Sequence, residues 1–155
     1  MRKILVWSAV FIMIVAVVLT SERSWATGQA QKLVEEGAGQ MQQKHYDQAI
    51  AIFQKALQEE PQSATTYNLL GMAYRFKYNE VRNKDLKNQE IAAFKKAIEI
   101  DPTYWIALIN LGATYYYMGE KAQAAPLFKK ALTINPNHPD KVQLEKMIQE
   151  GEKKP

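Results

Sequence analysis

Self-similarity at fixed spacings constrains the fold of this chain more than any other feature. Three kinds of residue recur at spacings of 34 and 41: Gly37, Gly71 and Gly112; Phe53, Phe94 and Phe128; and Pro61, Pro102 and Pro136. A 34-residue unit with one seven-residue insertion explains every spacing, and the insertion lies after Gly71 and before Phe94. A period of this length is typical of an array of stacked supersecondary units.

The apolar residues inside a unit have helical spacing. Ile91, Phe94 and Ile98 are three and four residues apart, which places them on one face of a helix. The three recurring prolines fall where a unit ends. The pattern predicts two helices per unit, at about 29–43 and 46–59, 64–78 and 87–100, and 104–118 and 121–134, with a seventh at about 139–150.

The chain resembles the tetratricopeptide repeat family in the first helices of its second and third units. The matching motifs are Tyr67-x2-Leu70-Gly71-x2-Tyr74 and Leu108-x2-Leu111-Gly112-x2-Tyr115, followed in the third unit by Ala124, Phe128, Ala131 and Pro136. The resemblance covers about residues 30–138. It implies an all-α fold, a solenoid of three tetratricopeptide helix-turn-helix pairs with a C-terminal capping helix. We expect a domain over 27–155, with units at about 30–63, 64–104 and 105–138 and the capping helix at about 139–150.

The second unit departs from the family pattern in two places. Glu90 stands where a small residue is expected, and the seven extra residues fall within the polar stretch 79–88. One interpretation of the insertion is a tolerated surface loop, because lengthening a loop costs little entropy. The other interpretation is a second contact edge with a polar rim, formed by Arg82, Lys84, Asp85 and Lys87.

Residues 1–26 have the pattern of an export signal. Arg2 and Lys3 precede an apolar run over 4–19, and Ser24 and Ala26 supply small residues before a cut at Thr27. The alternative is an uncleaved membrane anchor, although the run is slightly shorter than the roughly 20 residues of a comfortable span. In both cases the positive-inside rule predicts that the repeats lie outside the cytoplasm. We expect a periplasmic or secreted protein, or one anchored to the inner membrane, similar to small exported bacterial tetratricopeptide proteins.

Few residues are suited to catalysis or metal binding. The chain has no cysteine, and each of its two histidines, His45 and His138, lies in a predicted loop without a second histidine nearby. Phosphate-binding, nucleophile-elbow and zinc-protease motifs are absent from the sequence. We therefore expect no enzymatic activity, no metal and no cofactor.

The positive charge does not indicate a nucleic-acid partner. The formal charge is +4, but three of the twenty basic residues and one of the sixteen acidic residues lie within 1–26. The lysines of the repeats fall on the outer faces of second helices, interrupted by acidic and neutral residues. A nucleic-acid surface needs cations gathered on one face, so we expect no nucleic-acid partner.

The remaining candidate site is the concave groove, which tetratricopeptide proteins line with the first helix of each pair and use to hold peptides or partner helices. The resemblance assigns mostly apolar residues to it: Asn68, Met72, Arg75, Phe76, Ile106, Ile109, Ala113, Tyr116 and Tyr117. Family members that clamp a terminal carboxylate place Lys, Asn and Arg at positions that here are Val34, Ala38, Thr65, Leu69, Ile106 and Asn110. The family's carboxylate clamp is therefore absent.

The groove supports two hypotheses from different functional classes. In the first, the protein is a non-catalytic scaffold of the cell envelope that binds a peptide or helix of a partner protein. In the second, it is a structural module that self-associates through the same groove into a homo-oligomer. A third interpretation is that the apolar groove residues Ile106 and Ile109 belong to the internal core and are not a binding surface. Any membrane contact would come from residues 4–19, if the signal is retained.

Overall fold

A computed structural model describes residues 28–153, which form seven helices and no strand. Helix α1 is described over 28–42. The others are α2 (Tyr46–Glu59), α3 (Ala64–Val81), α4 (Lys84–Ile100), α5 (Trp105–Tyr117), α6 (Lys121–Ile134) and α7 (Lys141–Glu152). The all-α solenoid of three pairs plus a capping helix is confirmed. The export segment predicted over 1–26 lies outside the described residues.

Local residues explain where the helices start and stop. The Ser63 hydroxyl accepts a hydrogen bond from the Thr66 backbone N–H at the start of α3, and the Asn83 side chain accepts one from the Asp85 backbone N–H at the start of α4. Such caps satisfy backbone donors that have no partner inside the helix. Gly119 adopts a left-handed conformation, with φ of 86°, in the short link between α5 and α6.

One packing contact recurs in all three pairs and explains the glycine and phenylalanine periods. A Cβ placed on Gly37, Gly71 or Gly112 would lie 2.6 Å from the ring of Phe53, Phe94 or Phe128, respectively. All three rings are fully buried. The two helices of a pair therefore approach until a ring touches the backbone of the facing helix, and a larger residue has no room there.

The insertion lengthens two helices and does not form a loop. Helix α3 has 18 residues and α5 has 13, whereas α4 has 17 residues and α6 has 14. Only residues 82–83 separate α3 from α4. The loop interpretation of 79–88 is therefore wrong: these residues extend the helical hairpin, with Arg82 in a left-handed conformation at the end of α3 and Asn83 capping α4.

Helix α7 closes the array. Its Leu144, Met147 and Ile148 are buried against the third pair, in a cluster that includes Phe128. Val142 lies on the opposite side and is 80% exposed. The capping helix thus buries one apolar face and presents its other face to water, as the end of a repeat stack requires.

Candidate functional site

The nine predicted groove residues lie on two parallel helices of neighbouring pairs, four on α3 and five on α5. Asn68 is buried, and Met72, Ile109, Ala113 and Tyr116 are half-buried against the core of the third pair. Phe76 and Tyr117 are the exposed aromatic members, with Tyr117 at 82% exposure. Most of this face therefore contributes to packing as well as to the surface. The Tyr117 ring is open to solvent, whereas the Phe76 ring stacks on Tyr46 and the residue is 38% exposed.

Arg75, predicted to line the groove, has internal hydrogen-bond partners. Its Nε donates to Glu90 Oε1 at 2.8 Å, and its two terminal nitrogens donate to the Asn110 side chain at 3.1 Å, the Asn110 carbonyl at 2.7 Å and Thr114 Oγ1 at 2.9 Å. The guanidinium also lies 4.9 Å from the centroid of the Phe94 ring. Arg75 thus joins the second pair to the third.

Asn68 belongs to the same network. The Asn110 amide donates to Asn68 Oδ1 at 2.9 Å, which extends the hydrogen bonds along the interface between α3 and α5. Because Asn68 is 3% exposed, it is packed inside the network and holds little surface for a ligand. The polar residues assigned to the groove therefore stabilise the stacking of two pairs.

Glu90 is the centre of this network, and the sequence indicated only that the residue was unusual. Its side chain is fully buried at the place that Ala49 and Ala124 occupy in the other two pairs. Oε1 accepts hydrogen bonds from Arg75 and, at 2.6 Å, from the Thr114 hydroxyl, while Oε2 accepts one from Lys87 Nζ at 2.5 Å. A buried carboxylate needs such partners. That requirement was the signal that could have identified Arg75 and Lys87 in advance.

A cavity of about 380 Å³ opens beside the network. It lies at the end of the groove where the inserted residues lengthen α3 and α4. Its walls include Arg75, Lys87 and Glu90, the aromatic rings of Tyr78 and Tyr117, and Arg82. Lys87 Nζ lies 4.1 Å from the centroid of the Tyr78 ring, and the Arg82 guanidinium carbon lies 5.6 Å from it. The insertion therefore supplies two cations to the mouth of the groove.

A second polar cluster joins the groove to the capping helix. The Tyr116 hydroxyl donates to Glu150 Oε2 at 2.6 Å, and Lys121 Nζ donates to the same oxygen at 2.7 Å. These bonds, that of Lys121 first, lower the pKa of Glu150 to about 2, and they raise the pKa of Lys121 and of Tyr116. Tyr116 is therefore held by α7, and its hydroxyl already has a partner.

The described residues contain no arrangement that would support metal chemistry. Within 28–153 no three His, Cys, Asp or Glu side chains gather around a common point. His45 forms a hydrogen bond with Gln40, and the His138 ring packs edge-on against Trp105. In the same part of the chain no helix combines the length and apolar character needed to cross a membrane.

Comparison with known proteins identifies the repeats. The profile of the family described as Tetratricopeptide Repeats-Sensor matches residues 14–116, and that of the family described as Tetratricopeptide repeat matches 105–138. The chloroplastic tetratricopeptide repeat domain-containing protein PYG7 of Arabidopsis thaliana is 33% identical over 113 residues, which cover 70% of this chain and 35% of PYG7. The chain spans between about a tenth and about a third of the length of the curated relatives it matches.

Solved structures give the same architecture. The first tetratricopeptide domain of Spaghetti (RPAP3) has a TM-score of 0.68 and 20% identity, covering 80% of this chain and 94% of that domain. The MamA crystal structure has a TM-score of 0.66 and 25% identity, covering 79% of this chain and 66% of MamA. Because one family profile spans well over half of the residues and the geometry repeats in all three pairs, the chain belongs to the tetratricopeptide repeat family.

Proposed function

We propose that this chain is a non-catalytic scaffold that binds a peptide or helix of a partner protein in the groove formed by the first helices of its pairs. The observation that carries the proposal is the pair of exposed rings, Phe76 and Tyr117, on α3 and α5. Exposed aromatic groups beside a concave surface are frequent anchors of protein interfaces.

Two structural relatives support this mode of binding. The Spaghetti (RPAP3) domain was solved with an HSP90 peptide, and the TPR2B domain of yeast Sti1 was solved as a complex with pHsp70. Both are less than 25% identical to this chain, so the likeness itself concerns the fold alone. The identity of the partner does not transfer.

The location of the scaffold is part of the proposal. The charged start, the apolar run over 4–19 and the small residues before Thr27 support export to the cell envelope. Fractionation of cells that express the chain with a C-terminal epitope tests it. A tagged product in the envelope or secreted fraction is expected, and a product confined to the cytoplasm would contradict it.

The binding test uses two surface variants that introduce the same charge at different positions. Tyr117→Glu places a charge in the groove, and Val142→Glu places the same charge on an equally exposed apolar residue of α7. A photo-crosslinking residue in place of Phe76, the other exposed aromatic residue of the groove, then reports contacts in cells. We expect one crosslinked partner from position 76, retained with Val142→Glu and lost with Tyr117→Glu. Identical capture by all variants would contradict a groove site.

Self-association is the second outcome that this test distinguishes. A crosslinked product at twice the mass of the chain, together with a mass in solution that rises with concentration, would replace the scaffold by a homo-oligomer. A concentration-independent monomer by light scattering would exclude the self-association hypothesis.

A further inference from the structure

Resting on the proposed groove function, the geometry points to the chemistry of the partner: we propose that the cavity beside α3, α4 and α5 binds an acidic side chain of the bound peptide, next to an apolar residue. The cavity lies at the groove end that the seven-residue insertion builds. At about 380 Å³ it has room for one or two side chains and is too small for a folded domain.

The cavity wall has more positive than negative side chains. Arg75, Arg82 and Lys87 contribute three positive charges, and Glu90 contributes the one negative charge among the lining residues. Glu90 is fully buried and both its oxygens accept hydrogen bonds from the wall itself. Its charge is therefore already compensated, and the surface that a ligand meets is positive. Glu80, in the last turn of α3, and Asp85, in the first turn of α4, are exposed and do not line the cavity.

Arg82 is the cation that is available to a ligand. None of the ion pairs formed within 28–153 involves it, and it is exposed. Its guanidinium lies over the face of Tyr78, which holds it at the cavity mouth. A guanidinium with free N–H groups binds a carboxylate through two parallel hydrogen bonds.

The opposite wall is apolar. Tyr117 is 82% exposed and Met118 is 45% exposed at the end of α5, and both line the cavity. A segment whose carboxylate reaches Arg82 would therefore place its neighbouring residue against these two side chains. This wall favours a peptide over a polyanion such as a nucleic acid, which needs a row of cations along one face.

The test selects peptides without assuming a sequence. The full chain of 155 residues is immobilised and used to select from a random 12-residue library whose C-termini are fused to a carrier, so that no terminal carboxylate is present. We expect the selected peptides to carry Asp or Glu beside an apolar residue. Changing that acid to the amide should weaken binding about tenfold, and the difference should shrink as salt rises from about 0.1 M to about 1 M and the Debye length falls from about 10 to about 3 Å.

Two glycine variants give a matched control. Arg82 and Lys44 are the two residues other than glycine with positive φ within the described chain, at 56° and 64°, and each follows a first helix. Arg82→Gly and Lys44→Gly each remove one positive charge and relieve a similar backbone strain, so both should melt at or above the wild-type temperature. Only Arg82→Gly should abolish the preference for the acid over the amide.

The outcomes separate this inference from the proposed function. Selected peptides that lack acidic residues and are lost with Tyr117→Glu would overturn the inference and leave the groove function intact. Failure to select any peptide would count against both. Tight binding of a 12-residue oligothymidine that requires Arg82 would also overturn the inference, because it would identify a polyanion site.

Discussion

At one buried position the second helix pair has a charged residue where the first and third pairs have alanine. Ala49 and Ala124 close their pairs with a methyl group, whereas Glu90 fills the same buried place with a carboxylate. The packing of ring on glycine is the same in all three pairs, since a Cβ added to the glycine would lie 2.6 Å from the ring in each. The backbone geometry of a repeat is therefore set by the glycine and the ring, and the small position can carry a charge if neighbouring helices supply its partners.

The largest expected effect comes from removing that charge. Glu90→Ala leaves Arg75 and Lys87 without their carboxylate. Removing one partner of a buried ion pair costs about 3 to 5 kcal/mol of unfolding free energy. Since whole domains have roughly 5 to 15 kcal/mol, this variant should lose a large part of its stability. Chemical denaturation followed by circular dichroism measures the loss.

A double variant tests whether the second pair can be converted into the first. Arg75 occupies the place of Met41 in the first pair, so Glu90→Ala with Arg75→Met copies that pair. Replacing a buried ion pair by apolar residues is often nearly neutral, and we expect the double variant to recover most of the loss. A double variant as unstable as Glu90→Ala alone would mean that Lys87 and Thr114, not Arg75, determine the need for the carboxylate.

The next effect concerns the feature that the pairs share. Gly71→Ala and Gly112→Ala each force a Cβ against a fully buried ring, and overpacking of this kind costs about 1 to 3 kcal/mol. Higher helix propensity returns at most about 1 kcal/mol. We expect both variants to lose similar stability by denaturant titration. A large difference between them would contradict a common packing geometry.

A smaller, pH-dependent effect is expected at the capping helix. The folded pKa of Glu150 is lowered from 4.5 to about 2, so its stabilisation is present above pH 4.5 and is lost as the pH falls towards 2. At pH 7 the wild type should have a higher melting temperature than Glu150→Gln, and this difference should disappear as the pH falls from 4.5 towards 2. The raised pKa values of Lys121 and Tyr116 predict a second loss at alkaline pH, above about 10. A gap that is constant from pH 7 to pH 2 would contradict the assignment.

The smallest effect is expected for an ion pair at the surface. Lys77 donates to Asp47 at 2.6 Å, but the Asp47 side chain is 76% exposed. Exposed pairs are screened by water and salt. Asp47→Asn should therefore melt within experimental error of wild type, in contrast to Glu90→Ala. A loss of stability comparable to that of Glu90→Ala would show that burial does not explain the difference between this surface ion pair and the ion pairs of Glu90.

Periodicity predicted the helices well because each repeat must bury its ring against its glycine. It failed at 79–88, where a polar composition suggested a loop, because Asn83 can cap a helix and the residues after it favour helix. The groove was predicted to be mostly apolar because the prediction considered the residue type at each position separately, without the contacts between pairs. Hydrogen bonds such as that between Asn68 and Asn110, 42 residues apart in sequence, depend on how two pairs stack.

The insertion also bears on how such a chain changes over evolutionary time. The strongest packing joins helices that follow one another in sequence. Added turns in α3 and α4 therefore extend a hairpin into water and leave the facing residues of the other pairs in register. In a protein whose distant segments interlock, seven residues added to two core helices would require compensating changes elsewhere. Here one end of the groove can change in length while the packing of the other pairs stays the same.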